Sequence, residues 1–276
     1  MSCVEKAYAK VNLTLAVGEK RPDGYHEVVS VMQRVSLHDT LTAERTANGI
    51  SLTCSDPSLP AGEENLAHRA AALFFRETGI TGGAALALEK SIPSQAGLGG
   101  GSSDAASVLL ALRRLYAPVL SDAALEAMAA ALGSDVPFFI RGGTQLATGR
   151  GEVLSPLPPL TEGWFVIVKP QESFSTPAMY RRLDELSPAH TPPLPPLQEG
   201  LSTLAAGLFN SFEAAVPPDS AVGRIKAALT DRGALGALLS GSGSAVFGLF
   251  DHENTARDAA KALRDVWPET FLARPV

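Results

Sequence analysis

The chain has 276 residues, of which 45% are hydrophobic and 19% are charged, a balance that is typical of a folded globular protein and excludes a disordered one. Its 29 acidic and 23 basic side chains give a net charge of −6, which argues against a surface that coats nucleic acid. Because the sequence has neither a signal peptide nor an apolar run long enough to span a membrane, it predicts a cytoplasmic protein with no membrane partner.

The first half of the chain mixes strand and helix signals. Alternating apolar residues predict a strand over residues 7–17, and turn residues at 21–24 separate it from short strand-like runs over 28–41. A helix is predicted from Asn65 to Gly79, because a capping residue opens an apolar periodic stretch and a glycine closes it. The remaining predicted elements are strands at 49–54 and 84–88 and helices at 102–116 and 122–133.

The second half is also mixed. Strands are predicted at 144–154, 164–168 and 245–250, and helices at 201–216, 220–232 and 254–267, before a short terminal strand. Between Ser187 and Gly200 the proline density predicts an extended surface connection. Its five prolines are Pro188, Pro192, Pro193, Pro195 and Pro196. The sequence therefore predicts an α+β protein in two halves, with domains over residues 1–160 and 161–276.

The strongest local signal is a glycine loop over residues 93–106, which read PSQAGLGGGSSDAA. Four glycines in five positions let the backbone bring several N–H groups towards one point. Ser102, Ser103 and Asp104 are capping residues at the start of a predicted helix, whose N-terminus would attract a phosphate group. The two serine hydroxyls could contact phosphate or a bound Mg²⁺ ion. The loop lacks the Gly-Lys-Ser/Thr of a Walker A motif. It is also a poor dinucleotide fingerprint, because the region about twenty positions on, where such a fingerprint has its acidic residue, is a predicted loop at residues 120–122. It therefore predicts a different phosphate-binding loop; the alternative is a flexible connector.

This loop resembles the nucleotide loop of the GHMP kinases, the family of galacto-, homoserine and mevalonate kinases. Residues 9–13 (AKVNL) resemble the family's first motif, and residues 239–245 (LSGSGSA) resemble its third, a second glycine turn that flanks the phosphate site. The resemblance implies a two-domain GHMP kinase fold with the active site in the interdomain cleft. It also implies ATP and Mg²⁺ as cofactors.

One branch of the family fits better than the others. The triple glycine, residues 23–27 (DGYHE) and residues 133–139 (GSDVPFF) resemble kinases that phosphorylate an alcohol on a small cytidine-diphosphate-linked substrate, in the non-mevalonate route to isoprenoid precursors. In this branch the N-terminal half binds the nucleotide. The residues that the resemblance implies at ATP are Asn65, Leu66, Pro93, Ser94, Gln95, Ala96, Gly97, Leu98, Gly99, Gly100, Gly101, Ser102 and Ser103.

Two residues match the family's catalytic positions. Asp135 is the candidate general base, although its spacing alone would favour a simple helix cap. Lys10 lies in an alternating strand, where a lysine usually faces solvent, and the resemblance places it beside Asp135, where its charge would keep the carboxylate ionised and orient it. Neither residue forms a metal-ligand pattern, and no metal site is predicted from the sequence.

The substrate residues follow from the same resemblance. Asn12 shares a strand face with Lys10 and could hydrogen-bond a substrate oxygen. Tyr25 and His26 match a cytosine-binding pair, with the segment at residues 176–180 on the other side. The implied substrate residues are Asn12, Tyr25, His26, Pro177, Tyr180, Gly241 and Ser242; Arg150 lies in a loop that touches substrate in the family, and its own role stays open.

Three other functions compete with this interpretation. A homoserine, mevalonate or galactose kinase would keep the fold, although these substrates have no base for residues 23–27 to stack on. A nucleotide-binding regulator would keep the fold and lose catalysis, and a nicotinamide oxidoreductase is a more distant alternative. The sequence leaves open the oligomeric state, the way Mg²⁺ is held and the part that Ser242 plays.

Overall fold

The computed structural model describes residues 1–186, 194–195 and 197–276, and the chain forms two compact units that alternate along the sequence. Strands β1 (Ser2–Lys20) and β2 (His26–Thr46) each contribute residues to both units. The predicted domain boundary near residue 160 stays a prediction. Unit 1 comprises Met1–Ala9, His38–Ile92 and Gly99–Gly142, and unit 2 comprises Lys10–Leu37, Pro93–Leu98 and Gly143–Val276.

Unit 1 combines paired strands with a cluster of helices. Strand β3 (Gly49–Cys54) runs parallel to β4 (Gly83–Glu89), and β4 pairs antiparallel with residues 40–46 of β2. The helices contact one another and bury their apolar faces, including Phe74, Leu109 and Phe138. They are α1 (Leu66–Thr78), α2 (Gly100–Tyr116), α3 (Asp122–Leu132) and α4 (Val136–Arg141).

Unit 2 contains a four-stranded antiparallel sheet in the order β11-β7-β10-β9. Helices α7 and α8 lie on one face of this sheet, where Ile225 and Leu263 join Val166 and Phe250 in a single apolar cluster. Since side chains alternate along a strand, Phe165 and Phe247 point to the other face. The bounds are β7 Trp164–Val168, β9 Gly236–Leu239, β10 Val246–Phe250, β11 Thr270–Ala273, α7 Val222–Thr230 and α8 Glu253–Arg264.

The rest of unit 2 adds short elements to the longer strands. Residues 30–33 of β2 pair with β5, which forms a hairpin with β6, and β8 runs parallel to β1 at Thr14 and Leu15. These elements are β5 Thr144–Thr148, β6 Val153–Pro156, α5 Thr176–Leu186, α6 Leu201–Ala206, β8 Phe209–Asn210 and a 3-10 helix Ser211–Ala215.

The α+β class is confirmed, as are most predicted elements of unit 1. Helix α1 begins after Asn65, whose side chain accepts a hydrogen bond from the N–H of Ala67, and ends at Gly79 in the left-handed conformation, as its sequence predicts. The sequence predicted several short strands over residues 28–41, which is wrong, because these residues form part of the single long strand β2.

The predicted start of α2 is also wrong. The helix begins at Gly100, and its N-cap is Gly99, which has a left-handed φ of 74°. Ser102, Ser103 and Asp104 therefore lie inside the first turns and do not cap the helix. The prediction placed the cap at Ser102 because serine is a common capping residue. Gly99 comes first in the chain, and without a Cβ it adopts the left-handed conformation that starts the helix earlier.

The helix predicted over residues 201–216 is wrong beyond its first turns. Helix α6 ends at Ala206, and the N–H of Gly207 closes it. The chain then extends because the Asn210 side chain donates to the carbonyl oxygens of Leu239 and Gly241 and accepts from the N–H of Phe212. Helix α5 and strand β9 were absent from the sequence prediction.

Part of the proline-rich segment lies outside the described residues, namely Pro188, Pro192, Pro193 and Pro196. Its predicted extended character stays a prediction. Among residues 1–186, 194–195 and 197–276, no helix combines the length and apolarity needed to cross a lipid bilayer.

The core of the four-stranded sheet should depend on its aromatic pair. Phe247 is fully buried and packs edge-on against Phe165, with ring centroids 5.7 Å apart. We expect Phe247→Ala to lower the free energy of unfolding by about 3–5 kcal/mol, because it leaves a cavity in a close-packed core. Chemical denaturation measures this change. The control Val119→Ala alters a 96% exposed side chain and should change the free energy by less than about 0.5 kcal/mol.

Candidate active site

The three predicted nucleotide motifs meet in unit 2 through backbone hydrogen bonds. The N–H of Lys10 donates to the carbonyl oxygen of Leu98 at 3.0 Å, which joins the first motif to the glycine loop. The N–H of Ala245 donates to the carbonyl oxygen of Ala96 at 3.2 Å. The hydroxyl of Ser240 donates to the carbonyl oxygen of Gly97 at 3.0 Å. These bonds fix the loop against the third motif.

Gly97 is required at this junction by both conformation and space. Its φ is 73°, and a Cβ added there would lie 2.0 Å from the carbonyl oxygen of Ser240. Gly241, in the third motif, has a φ of 56°, and a Cβ there would lie 2.9 Å from the carbonyl oxygen of Gly97. Two glycine turns therefore approach each other more closely than any residues with side chains could.

Lys10 is buried, with 4% of its surface exposed, so the solvent-facing orientation common for a strand lysine does not apply. Its Nζ donates to Asn12 Oδ1 at 2.6 Å, and Asn12 Nδ2 donates to Ser30 Oγ at 2.8 Å. Ser30 in turn donates to the carbonyl oxygen of Thr14. A Cβ on Gly241 would lie 3.4 Å from the Lys10 ammonium, so Lys10 adjoins the third motif. A buried ammonium beside two glycine turns is suited to an anionic ligand.

The third motif is held in place by side chains around it. Asn210 Nδ2 donates to the carbonyl oxygen of Gly241 at 2.8 Å. The hydroxyl groups of Ser242 and Thr176 lie 2.7 Å apart, so Ser242 contacts the first residue of α5. Pro177, another predicted substrate residue, is the next residue of that helix and is exposed.

The glycine loop changes conformation sharply before α2. Gln95 has a φ of 51°, which is uncommon for a residue with a side chain, and the loop's Ser94 and Gln95 are exposed. Pro93 is half-buried, whereas Ala96 and Leu98 are buried. Within unit 1, Gly99 to Ser103 form the N-terminus of α2, whose first backbone N–H groups have no partner inside the helix. Such an end can bind phosphate.

Three further predicted residues lie in unit 1. The side chain of Asn65 caps α1 and also donates to the carbonyl oxygen of Pro60 at 2.8 Å, and Leu66 is the first residue of that helix. Asp135 occupies the N-cap position of α4 but makes no side-chain capping bond, so a simple helix cap does not explain it. The assignments of these residues to adenine and to proton transfer stay predictions.

The predicted cytosine residues lie together in unit 2. The rings of His26 and Tyr180 are stacked, with centroids 5.0 Å apart and planes 19° apart, and Tyr180 packs edge-on against Phe212. Tyr25 is 54% exposed, and the guanidinium of Arg150 lies 4.9 Å from its ring centroid. An aromatic surface of this kind can stack against a nucleic-acid base.

Comparisons with known proteins agree with these motifs. Residues 65–143 match the model of the GHMP kinases N terminal domain, and residues 196–269 match that of the GHMP kinases C terminal domain. A protein of Moorella thermoacetica named 4-diphosphocytidyl-2-C-methyl-D-erythritol kinase is 43% identical over 97% of both chains. One of the same name from Pelotomaculum thermopropionicum is 45% identical over 97% of this chain and 96% of that one. The chain belongs to the GHMP kinase family.

Solved structures of GHMP kinases support the same placement. A crystal structure of 4-(cytidine 5′-diphospho)-2C-methyl-D-erythritol kinase matches with a TM-score of 0.84 and 39% identity over 98% of each chain. The Methanococcus jannaschii mevalonate kinase matches with a TM-score of 0.75 at 15% identity, which shows the shared fold alone. The predicted GHMP kinase fold is confirmed.

Membership of the GHMP kinase family makes the protein a small-molecule kinase and implies ATP as its phosphate donor. Within the described parts of the chain, no group of three or more His, Cys, Asp or Glu side chains could hold a metal ion. The loop itself offers the hydroxyls of Ser102 and Ser103 at the N-terminus of α2, of which Ser103 is buried. This donor set suits an Mg²⁺ ion that keeps most of its ligands on phosphate and water.

A buried ionic cluster near the start of α2 was missed by the sequence analysis. Lys90 Nζ donates to Asp39 and, at 2.6 Å, to Asp104 Oδ2, while Asp39 Oδ1 accepts from the N–H groups of Ser91 and Ile92. A Cβ on Gly100 would lie 3.6 Å from Lys90 Nζ, so the cluster adjoins the first turn of α2. The available signal was Asp104, an aspartate inside an apolar helix. Burial of a carboxylate is costly unless a partner of opposite charge is buried beside it.

Burial dominates the electrostatics of this cluster. It raises the pKa of Asp104 to about 7, since Asp39 adds repulsion and the attraction of Lys90 only partly offsets both. Asp104 Oδ1 is buried and has no hydrogen-bond partner among the described residues. Burial alone would lower the pKa of Lys90, but the two carboxylates raise it above its ordinary value, so Lys90 stays charged.

The close approach of the glycine turns gives a first test of the site. We expect Gly97→Ala to lower the free energy of unfolding by about 2 kcal/mol or more, because alanine disfavours a positive φ and its Cβ would overlap the Ser240 carbonyl. Gly223→Ala is the matched control, since nothing lies within 4 Å of a Cβ at that position in α7. Denaturant unfolding should show the control unchanged or slightly stabilised; equal effects in both variants would contradict the required contact.

The raised pKa of Asp104 gives a second test. The folded protein binds a proton here that the unfolded chain releases between pH 4 and pH 7, so this group's contribution to stability falls as pH rises through that range. We expect Asp104→Asn to weaken this pH dependence, measured as the unfolding midpoint at pH 5 and pH 8. Asp258→Asn, an exposed change on α8, should follow the unmodified protein, and an equal pH dependence in all three proteins would contradict the argument.

Proposed function

We propose that this chain transfers the γ-phosphate of ATP to the 2-hydroxyl of 4-diphosphocytidyl-2-C-methyl-D-erythritol, in the non-mevalonate route to isoprenoid precursors. The observation that carries the proposal is near full-length similarity, above 40% identity, to relatives named for this substrate. The homoserine kinase of Cytophaga hutchinsonii and the mevalonate kinase of Methanococcus jannaschii match at 18% and 15% identity, and so support the fold without the substrate.

The aromatic residues of unit 2 support a substrate that carries a base. His26 stacked on Tyr180 offers a polar ring edge next to an apolar face, and Tyr25 is exposed beside Arg150. A cytosine ring has faces for stacking and an edge for hydrogen bonds, so both features suit it. Homoserine and mevalonate have no such ring, so the aromatic residues would have no base to contact in either substrate.

The glycine loop and the third motif support binding of the triphosphate. In this proposal the backbone N–H groups of residues 97–103 and the turn at Gly241 and Ser242 contact phosphate oxygens. The half-buried hydroxyl of Ser102 would contribute a ligand to an Mg²⁺ ion bound with the nucleotide, and the ion would offset charge on the phosphates. These assignments use the anion-binding character of the loop and require no protein carboxylate at the metal.

We assign proton transfer to Asp135 and its electrostatic support to Lys10. An alcohol that attacks phosphorus must lose its proton, and a carboxylate within reach can accept it. Lys10 is buried, and its ammonium bonds Asn12 on one side and adjoins Gly241 on the other. A fixed positive charge keeps a carboxylate ionised and stabilises negative charge on the attacking oxygen.

The substrate assignment is tested by ATP consumption with Mg²⁺ and purified protein. We expect turnover with 4-diphosphocytidyl-2-C-methyl-D-erythritol and none above background with homoserine, mevalonate or galactose. A phosphorus NMR spectrum of the product should show one new phosphomonoester. Turnover with another alcohol would replace the substrate, and ATP binding without any turnover would favour a regulator that keeps the fold.

The catalytic assignments are tested by two substitutions. Asp135→Asn should lower kcat by about 10²–10⁴ while ligand affinity changes little, because the amide cannot accept the proton. Lys10→Met should lower kcat more than it raises the KM for either substrate. Lys6→Met is the matched control on the same strand, where the lysine is exposed, and should leave kcat unchanged. A near-normal rate for Asp135→Asn would contradict its role as base.

A further inference from the structure

Asp184 on α5 contacts the His26 ring and the ammonium of Lys20. Its Oδ1 lies 2.7 Å from Nε2 of His26, and its Oδ2 lies 3.5 Å from the ammonium of Lys20. The Asp184 side chain is 36% exposed, whereas that of His26 is 8% exposed. A solvent-accessible carboxylate thus holds one nitrogen of a buried ring.

The carboxylate stays ionised in this arrangement. Partial burial raises the pKa of Asp184, but the hydrogen bond from His26 and the charge of Lys20 outweigh burial and lower it below the ordinary value. An ionised carboxylate can only accept hydrogen bonds. The imidazole nitrogen that bonds Asp184, Nε2, must therefore carry a proton and act as the donor. In a neutral imidazole the proton on Nε2 leaves a lone pair on Nδ1.

The plane of the His26 ring is fixed independently. Tyr180 stacks on it at 19°, and Phe212 braces Tyr180 with an edge-on contact at 4.9 Å. Nδ1 of His26 makes no hydrogen bond to another described residue, so its lone pair is left for a ligand. Ring plane and proton position are therefore set by two neighbouring residues of the same helix, α5.

Cytosine and uracil differ in the exocyclic group that a lone pair on Nδ1 of His26 could contact. Cytosine carries an exocyclic amine, which donates, whereas uracil carries an oxygen at the same position, which only accepts. An unprotonated Nδ1 accepts from the amine and repels the oxygen. The opposite tautomer, with its proton on Nδ1, would reverse this preference.

We propose that Asp184 is a positioning residue that holds His26 in the Nε2-protonated form and so makes the site select cytosine over uracil. This inference rests on the proposed cytidine-linked substrate. Asp184 touches neither ligand nor reacting atoms in this scheme, and acts through the His26 ring alone.

The experiment measures binding of cytidine 5′-diphosphate and uridine 5′-diphosphate by calorimetry, with turnover of the full substrate beside it. Asp184→Ala should weaken cytidine 5′-diphosphate binding about tenfold and reduce its preference over uridine 5′-diphosphate by a similar factor. The KM for the cytidyl substrate should rise in parallel, with kcat and the KM for ATP within twofold. Asp184→Asn keeps an acceptor oxygen for Nε2 and should restore part of the preference.

Two controls separate this role from a general loss of structure. Glu185→Gln removes the neighbouring exposed charge on α5 and should leave all five quantities unchanged: the affinity for cytidine 5′-diphosphate, its preference over uridine 5′-diphosphate, kcat and both KM values. Nitrogen-15 NMR of the His26 ring should show a protonated Nε2 and an unprotonated Nδ1 in the unmodified protein, and a mixture of tautomers in Asp184→Ala. A merely structural role for Asp184 would not change the tautomer or the base preference.

The outcomes distinguish this inference from the function on which it rests. An unmodified protein that prefers cytidine 5′-diphosphate, together with an Asp184→Ala variant of unchanged preference, overturns the inference and leaves the proposed function standing. A protonated Nδ1 in the unmodified protein also overturns it. An unmodified protein that binds neither nucleotide and does not turn over the cytidyl substrate overturns both.

Discussion

The candidate site depends on the approach of two glycine turns. The carbonyl oxygen of Ser240 occupies the space where residue 97 would carry a Cβ, and a Cβ on Gly241 would lie 2.9 Å from the carbonyl oxygen of Gly97. Backbone hydrogen bonds from Lys10 and Ala245 then bind strand, loop and turn into one junction. Because backbone groups provide this geometry, the proposed phosphate-binding surface needs no cluster of basic side chains, so it is compatible with the acidic net charge of the protein.

Burial of charge is the second constraint on the molecule. Lys10 donates to Asn12, which continues into a chain of buried hydrogen bonds, and Lys90 donates to two aspartates. A buried ammonium without a partner would be costly at either position. The charged Lys90 is paired with two carboxylates, and this cluster adjoins the start of α2. Lys10 donates to the side-chain oxygen of Asn12 and adjoins Gly241 of the third motif.

Much of the fold was readable from the sequence, and the failures have local causes. Helix α1 carries its own capping residue and terminating glycine, so local rules sufficed. The start of α2 was misplaced because Gly99 caps the helix through backbone conformation alone. The segment after Ala206 was misassigned because Asn210 bonds carbonyl groups some thirty residues away, and a contact of that range leaves no periodic pattern in its own segment.

The sequence by itself determined the fold class, the glycine loop, the family and the identity of the candidate catalytic and base-binding residues. The fold class and the glycine loop follow from residue types at fixed spacing, and the candidate residues follow from the resemblance of these motifs to those of the GHMP kinases. Only the tertiary structure decided that Lys10 is buried, that Gly97 must lack a Cβ, and that Lys90 links Asp39 to Asp104. It also decided that Asp184 holds His26. Burial and hydrogen-bond partners depend on segments distant in the chain, and no single stretch of sequence contains both members of such a pair.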